Sequence, residues 1–191
     1  YYVKDSYGYS VEYYIDGTKN DSMTVTDSAD FGTVINSYPV KCPTGYKLEK
    51  TENFPLTIGT DASANVIKVY YVKDDSQTQD TKYTVKYTIE GAEQTNDKVE
   101  VTGTAWINDN PAKIAIAAGG IPTPANKYTG YKLDPNNPAY PAAGTLVNSG
   151  TVFVVNYIKK ENPTPATFDP DDIDGDGTVL AEKELIVLRG S

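Results

Sequence analysis

The sequence predicts a mostly β chain built from two tandem sheet modules. Three observations point there. Residues 65–74 (NVIKVYYVKD) end in the same five residues, YYVKD, that open the chain, and a looser copy (TVFVVNYIKK) fills residues 151–160. The first two copies are each followed by an alternating run, YSVEYYI at 9–15 and YTVKYTI at 83–89. Composition agrees: there are 16 Tyr but one Met, one Trp, one Cys and no His. Tyr, together with the abundant Val and Thr, favours pleated, half-buried strands. A length of 191 residues suits one or two domains, and the repeats decide for two.

In the first alternating run Tyr9, Val11, Tyr13 and Ile15 share one face while Ser10, Glu12 and Tyr14 share the other. That is the period of a strand. Asp16-Gly17 then marks a tight turn, because Asp-Gly tolerates positive φ, and residues 22–26 are expected to return as the partner strand. Phe31, Val34 and Ile35 are expected core anchors. Gly45-Tyr46-Lys47-Leu48 starts another strand, and Pro55 ends the region after it. The closing stretch 65–73 is apolar on both faces, which predicts a strand in the middle of its sheet.

Residues 75–81 (DSQTQDT) are polar throughout and read as a linker. The second unit repeats the order: the run at 83–89, Glu90-Gly91 as the turn, a returning strand near 99–102, and TGYKL at 129–133 identical to 44–48. The wider interval before its TGYKL implies an insertion at about 107–128, in which KIAIAA (113–118) is expected to form a short helix. The expected organisation is the end of a preceding repeat at 1–8, one repeat at 9–76, a second at 82–160, a proline-containing linker at 161–171, and an acidic tail at 172–191.

A net charge of −9, from 17 basic and 26 acidic residues, argues against nucleic acid or an anionic membrane surface as partner. No apolar run approaches the roughly 20 residues that span a bilayer. Cys42 is alone, so it has no disulfide partner within the chain. Without His there is no imidazole base or ligand, and Cys42 lies beside Pro43 with no histidine to activate it. Gly119-Gly120 lacks the Lys-Ser/Thr of a phosphate loop. A non-catalytic protein is expected.

The order Y-[ST]-V-x-Y-x-I-[DE]-G, then T-G-Y-K-L, then V-[IF]-x-V-x-Y-[VI]-K, over almost all of residues 1–160, resembles the mucin-binding (MucBP-like) repeats of cell-surface proteins in gut Gram-positive bacteria. It is also similar to internalin B-repeats. The resemblance implies β-grasp-like (ubiquitin-like) modules with the first and last strands parallel at the sheet centre. It further implies a secreted, wall-attached adhesin, monomeric in this segment, whose repeats act as stalk or spacer or bind host mucin or glycans. Trp106, Tyr128 and Tyr131, with Tyr14, Tyr46 and Tyr70, are candidate aromatic platforms for sugars. Cross-strand packing is the competing role for the same side chains.

The tail carries Asp172-Ile-Asp174-Gly-Asp176-Gly177-Thr178. Carboxylates at loop positions one, three and five with Gly at six suit Ca²⁺, and Thr178 would add its carbonyl. The twelfth position is Lys183, so the closing carboxylate would be Glu184, one residue late. Residues 172–189 resemble the first calcium loop and helix of a dockerin. That resemblance implies Ca²⁺ as cofactor and a cohesin-type protein as partner in a cellulosome-like assembly.

Overall fold

The computed structural model describes residues 5–161. The first module contains β1 (Ser6–Ile15), β2 (Thr18–Lys19), β3 (Val25–Asp30), β4 (Val34–Ile35), β5 (Tyr46–Glu52), β6 (Leu56–Thr57) and β7 (Val66–Lys73). Its main sheet runs β2-β1-β7-β5, with β3 also on β1. The second module contains β8 (Thr78–Ile89), β9 (Ala92–Glu93), β10 (Val99–Trp106), β11 (Lys113–Ala115), β12 (Tyr131–Leu133), β13 (Leu146–Asn148) and β14 (Val152–Lys159). Its sheet runs β10-β8-β14-β12, with β9 on β8. A two-stranded ribbon accompanies each sheet, β4 with β6 and β11 with β13.

In both sheets the first and last long strands are parallel neighbours at the centre. Ser10 stands opposite Val66 and Ile15 opposite Tyr71, and in the second module Thr84 stands opposite Val152 and Ile89 opposite Tyr157. The hairpin turns follow from their residues. Asp16 and Gly17 have φ of 47° and 79°, and Glu90 and Gly91 of 49° and 83°. Paired positive φ in a two-residue loop matches the right-handed twist of the strands it joins.

Each sheet buries one face. The first core gathers Val11, Tyr13, Leu56, Ile58, Ile67, Val69 and Tyr71; the second gathers Tyr83, Val85, Tyr87, Ile114, Ile116, Ile121, Val155 and Tyr157. Among the described residues no α-helix crosses either face; irregular segments and the small ribbons cover the core instead. They are held by tyrosine hydroxyls that reach out of the core, as a buried phenol needs a polar partner. Tyr13 donates to the Pro39 carbonyl at 2.5 Å, Tyr87 to Pro122 at 3.0 Å and Tyr157 to Pro124 at 2.6 Å. Tyr71 accepts from the Lys41 amide at 3.2 Å and Tyr83 from the Ala117 amide at 3.1 Å. Burial raises the phenol pKa of Tyr13, Tyr71, Tyr87 and Tyr157, with Tyr13 pushed up to about 12. A lysine lies over a core tyrosine ring in each module, Lys41 at 5.4 Å from the Tyr13 centroid and Lys127 at 4.3 Å from that of Tyr87.

Several expectations are corrected. The returning strand starts at Val25, because a 3₁₀ turn (Asp21–Met23) occupies the first part of 22–26. Phe31 and Val34 are exposed at 51% and 53%, and the core contacts expected of them come from Leu56, Ile58 and half-buried Ile35. The stretch 113–118 is no helix: Ile114 and Ile116 are buried while Lys113, Ala115 and Ala117 are exposed, and β11 pairs with β13. The polar stretch 75–81 is strand from Thr78 onward, since β8 begins there and β10 pairs with it from Thr78 to Val85. The closing strand β7 is central, but only Ile67, Val69 and Tyr71 are fully buried; its other face is half-buried. No described helix is long and apolar enough to cross a membrane.

Candidate functional site

The open face of the first sheet carries two of the candidate tyrosines, Tyr14 and Tyr70, both half-buried. Lys50, Tyr70, Tyr14 and Lys19 stand opposite one another across β5, β7, β1 and β2, and the neighbouring row is Glu52, Lys68 and Glu12. The Tyr14 and Tyr70 rings stack with centroids 4.7 Å apart, and the Lys50 ammonium lies 4.7 Å from the Tyr70 centroid. Tyr14 donates to Glu12 at 2.8 Å and Tyr70 to Glu52 at 3.0 Å. Lys19 meets Glu12 at 2.7 Å and Lys50 meets Glu52 at 2.7 Å. Hydrogen bonds from the lysines hold both carboxyls below their ordinary range, and the bond to Glu12 pushes the Tyr14 phenol up to about 12. Both phenols and both carboxylates in these rows have a partner, and Tyr70 is sandwiched between Tyr14 and Lys50.

The second module replaces that aromatic row with a polar one. Thr88 stands opposite Asn156 and donates to its Oδ1 at 2.6 Å, while the Gly91 amide donates to the same oxygen at 3.1 Å. Asn156 Nδ2 in turn donates to Asp134 at 2.8 Å. Elsewhere on this face, an open polar groove runs past Asp80, Lys82, Glu100, Thr102 and Thr104, with Lys82 and Glu100 3.7 Å apart. Among the described residues no cluster of His, Cys, Asp or Glu could hold a metal ion.

The three candidate ligand residues fall in different settings. Tyr128 is half-buried, its ring edge-on to Tyr157 at 5.0 Å and its hydroxyl donating to Asp97 at 2.6 Å. Tyr131 opens β12 and packs on the second core. Trp106 ends β10 and leaves its own module altogether. Its indole Nε1 donates to the Gly45 carbonyl at 2.9 Å, its ring meets Tyr46 edge-on at 5.4 Å, and the Lys73 ammonium lies 5.0 Å from its centroid. Asn108 follows it across, donating to the Thr44 carbonyl at 2.7 Å. Asp172, Asp174, Asp176, Thr178 and Glu184 lie outside the described residues.

Trp106 and Asn108 thus form one half of a joint between the modules, and the other half is the first TGYKL with the turn after β7. The Asp74 carboxylate accepts from the amide and hydroxyl of Ser76 at 3.2 and 2.7 Å and from Gln77 Nε2 at 3.1 Å. These bonds pull its pKa down to about 2. Gln77 also donates to the Tyr46 carbonyl at 2.9 Å and accepts from the Gly45 amide at 2.8 Å. Gly45 has φ +86°, and a Cβ there would sit 2.5 Å from Asn108 Nδ2 and 2.9 Å from the Trp106 ring. Cys42, exposed nearby, points its thiol at the Tyr46 carbonyl at 3.2 Å, and burial raises the thiol's pKa.

No family model matches the chain, and no curated protein matches it. Among solved structures it is similar to the type 2 repeat of the mucus binding protein MUB from Lactobacillus reuteri. That similarity covers 81% of this chain and 100% of the other, at 17% identity and a TM-score of 0.26.

The sequence signalled the joint in two places without connecting them: the sole tryptophan, and a glycine in a duplicated pentapeptide. Nothing in their spacing says that they meet.

Proposed function

We propose that the chain is a non-catalytic repeat segment of a bacterial cell-surface adhesin, working first as a stalk. The observation that carries this reading is the parallel pairing of the first and last strands in each sheet. A chain that enters on one such strand and leaves on the other exits at the opposite end of the module. Successive modules then add length, and a ten-residue strand such as β1 contributes about 33 Å at ~3.3 Å per residue. The MucBP-like motif order supports the cell-surface setting. Small-angle scattering tests the stalk directly. An elongated particle with a maximum dimension near twice that of one module is expected, and a compact one would overturn the reading.

Mucin or glycan binding is the finer form of the proposal. Tyr131 is its first candidate, because the Trp106 ring is occupied by Tyr46 and Lys73 and the Tyr128 hydroxyl by Asp97. Glycan-array and mucin-plate binding of the 191-residue chain, with Tyr131→Ala beside it, distinguishes binder from spacer. A signal that falls in the variant supports binding; folded protein without signal leaves the stalk alone.

A second reading is favoured by Asp172, Asp174 and Asp176 at calcium-loop spacing. On it, the repeats space a dockerin-like tail that takes Ca²⁺ through these residues, Thr178 and Glu184, and captures a cohesin-type protein. Calcium-dependent pulldown by a cohesin module tests it. Retention that is indifferent to chelator, or absent, counts against it.

A further inference from the structure

We infer that the Gly45–Trp106 joint couples the two modules into a single unit that tumbles and unfolds together. The inference concerns the connection alone and holds whatever the segment displays.

Modules joined by an unpinned polar linker behave as beads on a flexible coil, and intrachain domain interfaces are by default mobile. This connection is built differently. Only residues 74–77 separate β7 from β8. The Asp74 amide donates to the Gly45 carbonyl at 2.8 Å, and the Gln77 amide donates to the Asp74 carbonyl at 3.1 Å. The Gln77 side chain bridges back to Gly45 and Tyr46, and the Gln77 carbonyl accepts from the Ile107 amide at 2.9 Å. The next turn is fixed in the same manner, Gln79 Nε2 donating to the carbonyls of Trp106, Ile107 and Asp109 at 2.8–3.0 Å. The Gly45 carbonyl therefore receives two donors, one from each module. Trp106 and Asn108 close the far side of the hinge with directional bonds, so bending in either sense breaks a hydrogen bond or drives the indole into Tyr46.

The second TGYKL supplies an internal control. Gly130 has φ +83°, close to Gly45, and the Lys160 amide donates to its carbonyl at 2.9 Å as Asp74 does to Gly45. Yet a Cβ on Gly130 would meet nothing within 4 Å. Positive φ is thus a feature of the repeat, whereas the crowding around Gly45 belongs to the joint.

The test is made on the whole 191-residue chain by NMR residual dipolar couplings, with thermal unfolding followed both by Trp106 fluorescence and by circular dichroism. Trp106 is the only tryptophan, so its emission reports the joint. One alignment tensor and coincident transitions are expected. The double variant Trp106→Ala with Asn108→Ala is expected to give two tensors while both modules keep their amide dispersion. Should that variant unfold the second module, Gly45→Ala against Gly130→Ala decides: splitting in the first and not the second supports the coupling, and equal behaviour overturns it. Two tensors in the unaltered chain, or one tensor retained in a folded double variant, also overturns it.

Discussion

The Tyr13 ring fills the first core while its hydroxyl leaves that core to hold the Pro39 carbonyl. A phenylalanine would fill the same space and abandon the loop. Tyr13→Phe is therefore expected to destabilise the first module by about 1 kcal/mol, the net contribution of one intramolecular hydrogen bond. A urea midpoint that falls with unchanged slope would show this, whereas an unmoved midpoint would mean the hydroxyl is idle. Acidic side chains set the pH response. Glu12, Glu52 and Asp74 all have pKa values below their ordinary range, Asp74 near 2. A carboxyl whose folded pKa is depressed contributes stability above its unfolded value and loses it as pH falls through the folded one. Stability is thus expected to decline below about pH 4.5 and, for Asp74, to go on declining towards pH 2. Asp74→Asn should flatten the lowest part of that profile in an acid titration followed by Trp106 emission. A profile identical to that of the unaltered chain would remove Asp74 from the joint's acid response.

Among the elements, β11 is a strand where its alanines suggest a short helix. Lys-Ile-Ala-Ile-Ala has high helical propensity in its alanines, yet the isoleucines alternate, and alternation is the strand period. Burial of Ile114 and Ile116 against the sheet overrode local preference. Ile116→Ala is expected to cost about 2–4 kcal/mol through the cavity it leaves, while Ala115→Ser on the exposed face should be close to neutral; equal effects in thermal melts would contradict the register. The long strands β1, β7, β8 and β14 were legible because periodicity, aromatic content and Asp-Gly or Glu-Gly turns agreed. The start of β8 was not, because its polar residues are held in the sheet by the β10 ladder, a partner more than 20 residues away. Tyr14 and Tyr70 were legible as strand residues, but their engagement with Glu12, Glu52 and Lys50 depends on register across three strands. The joint lay further out of reach, since Trp106 and Gly45 are 61 positions apart.

At the scale of the whole molecule, the parallel central pair decides how the protein meets mechanical load. Force applied through the two ends of a module pulls β1 and β7 along their lengths in opposite senses. The hydrogen bonds between Ser10–Ile15 and Val66–Tyr71 are then loaded in shear, all at once, instead of opening one by one. Forced unfolding is governed by the unfolding rate, and a clamp that must lose its bonds together opens slowly. Single-molecule stretching through the chain ends is expected to give a higher rupture force than stretching across the sheet from Ser28→Cys on β3 to Lys47→Cys on β5, in a Cys42→Ser background. Equal forces in the two directions would contradict the clamp. In the stalk role proposed above, drag on a surface-held cell would load the chain along this same axis.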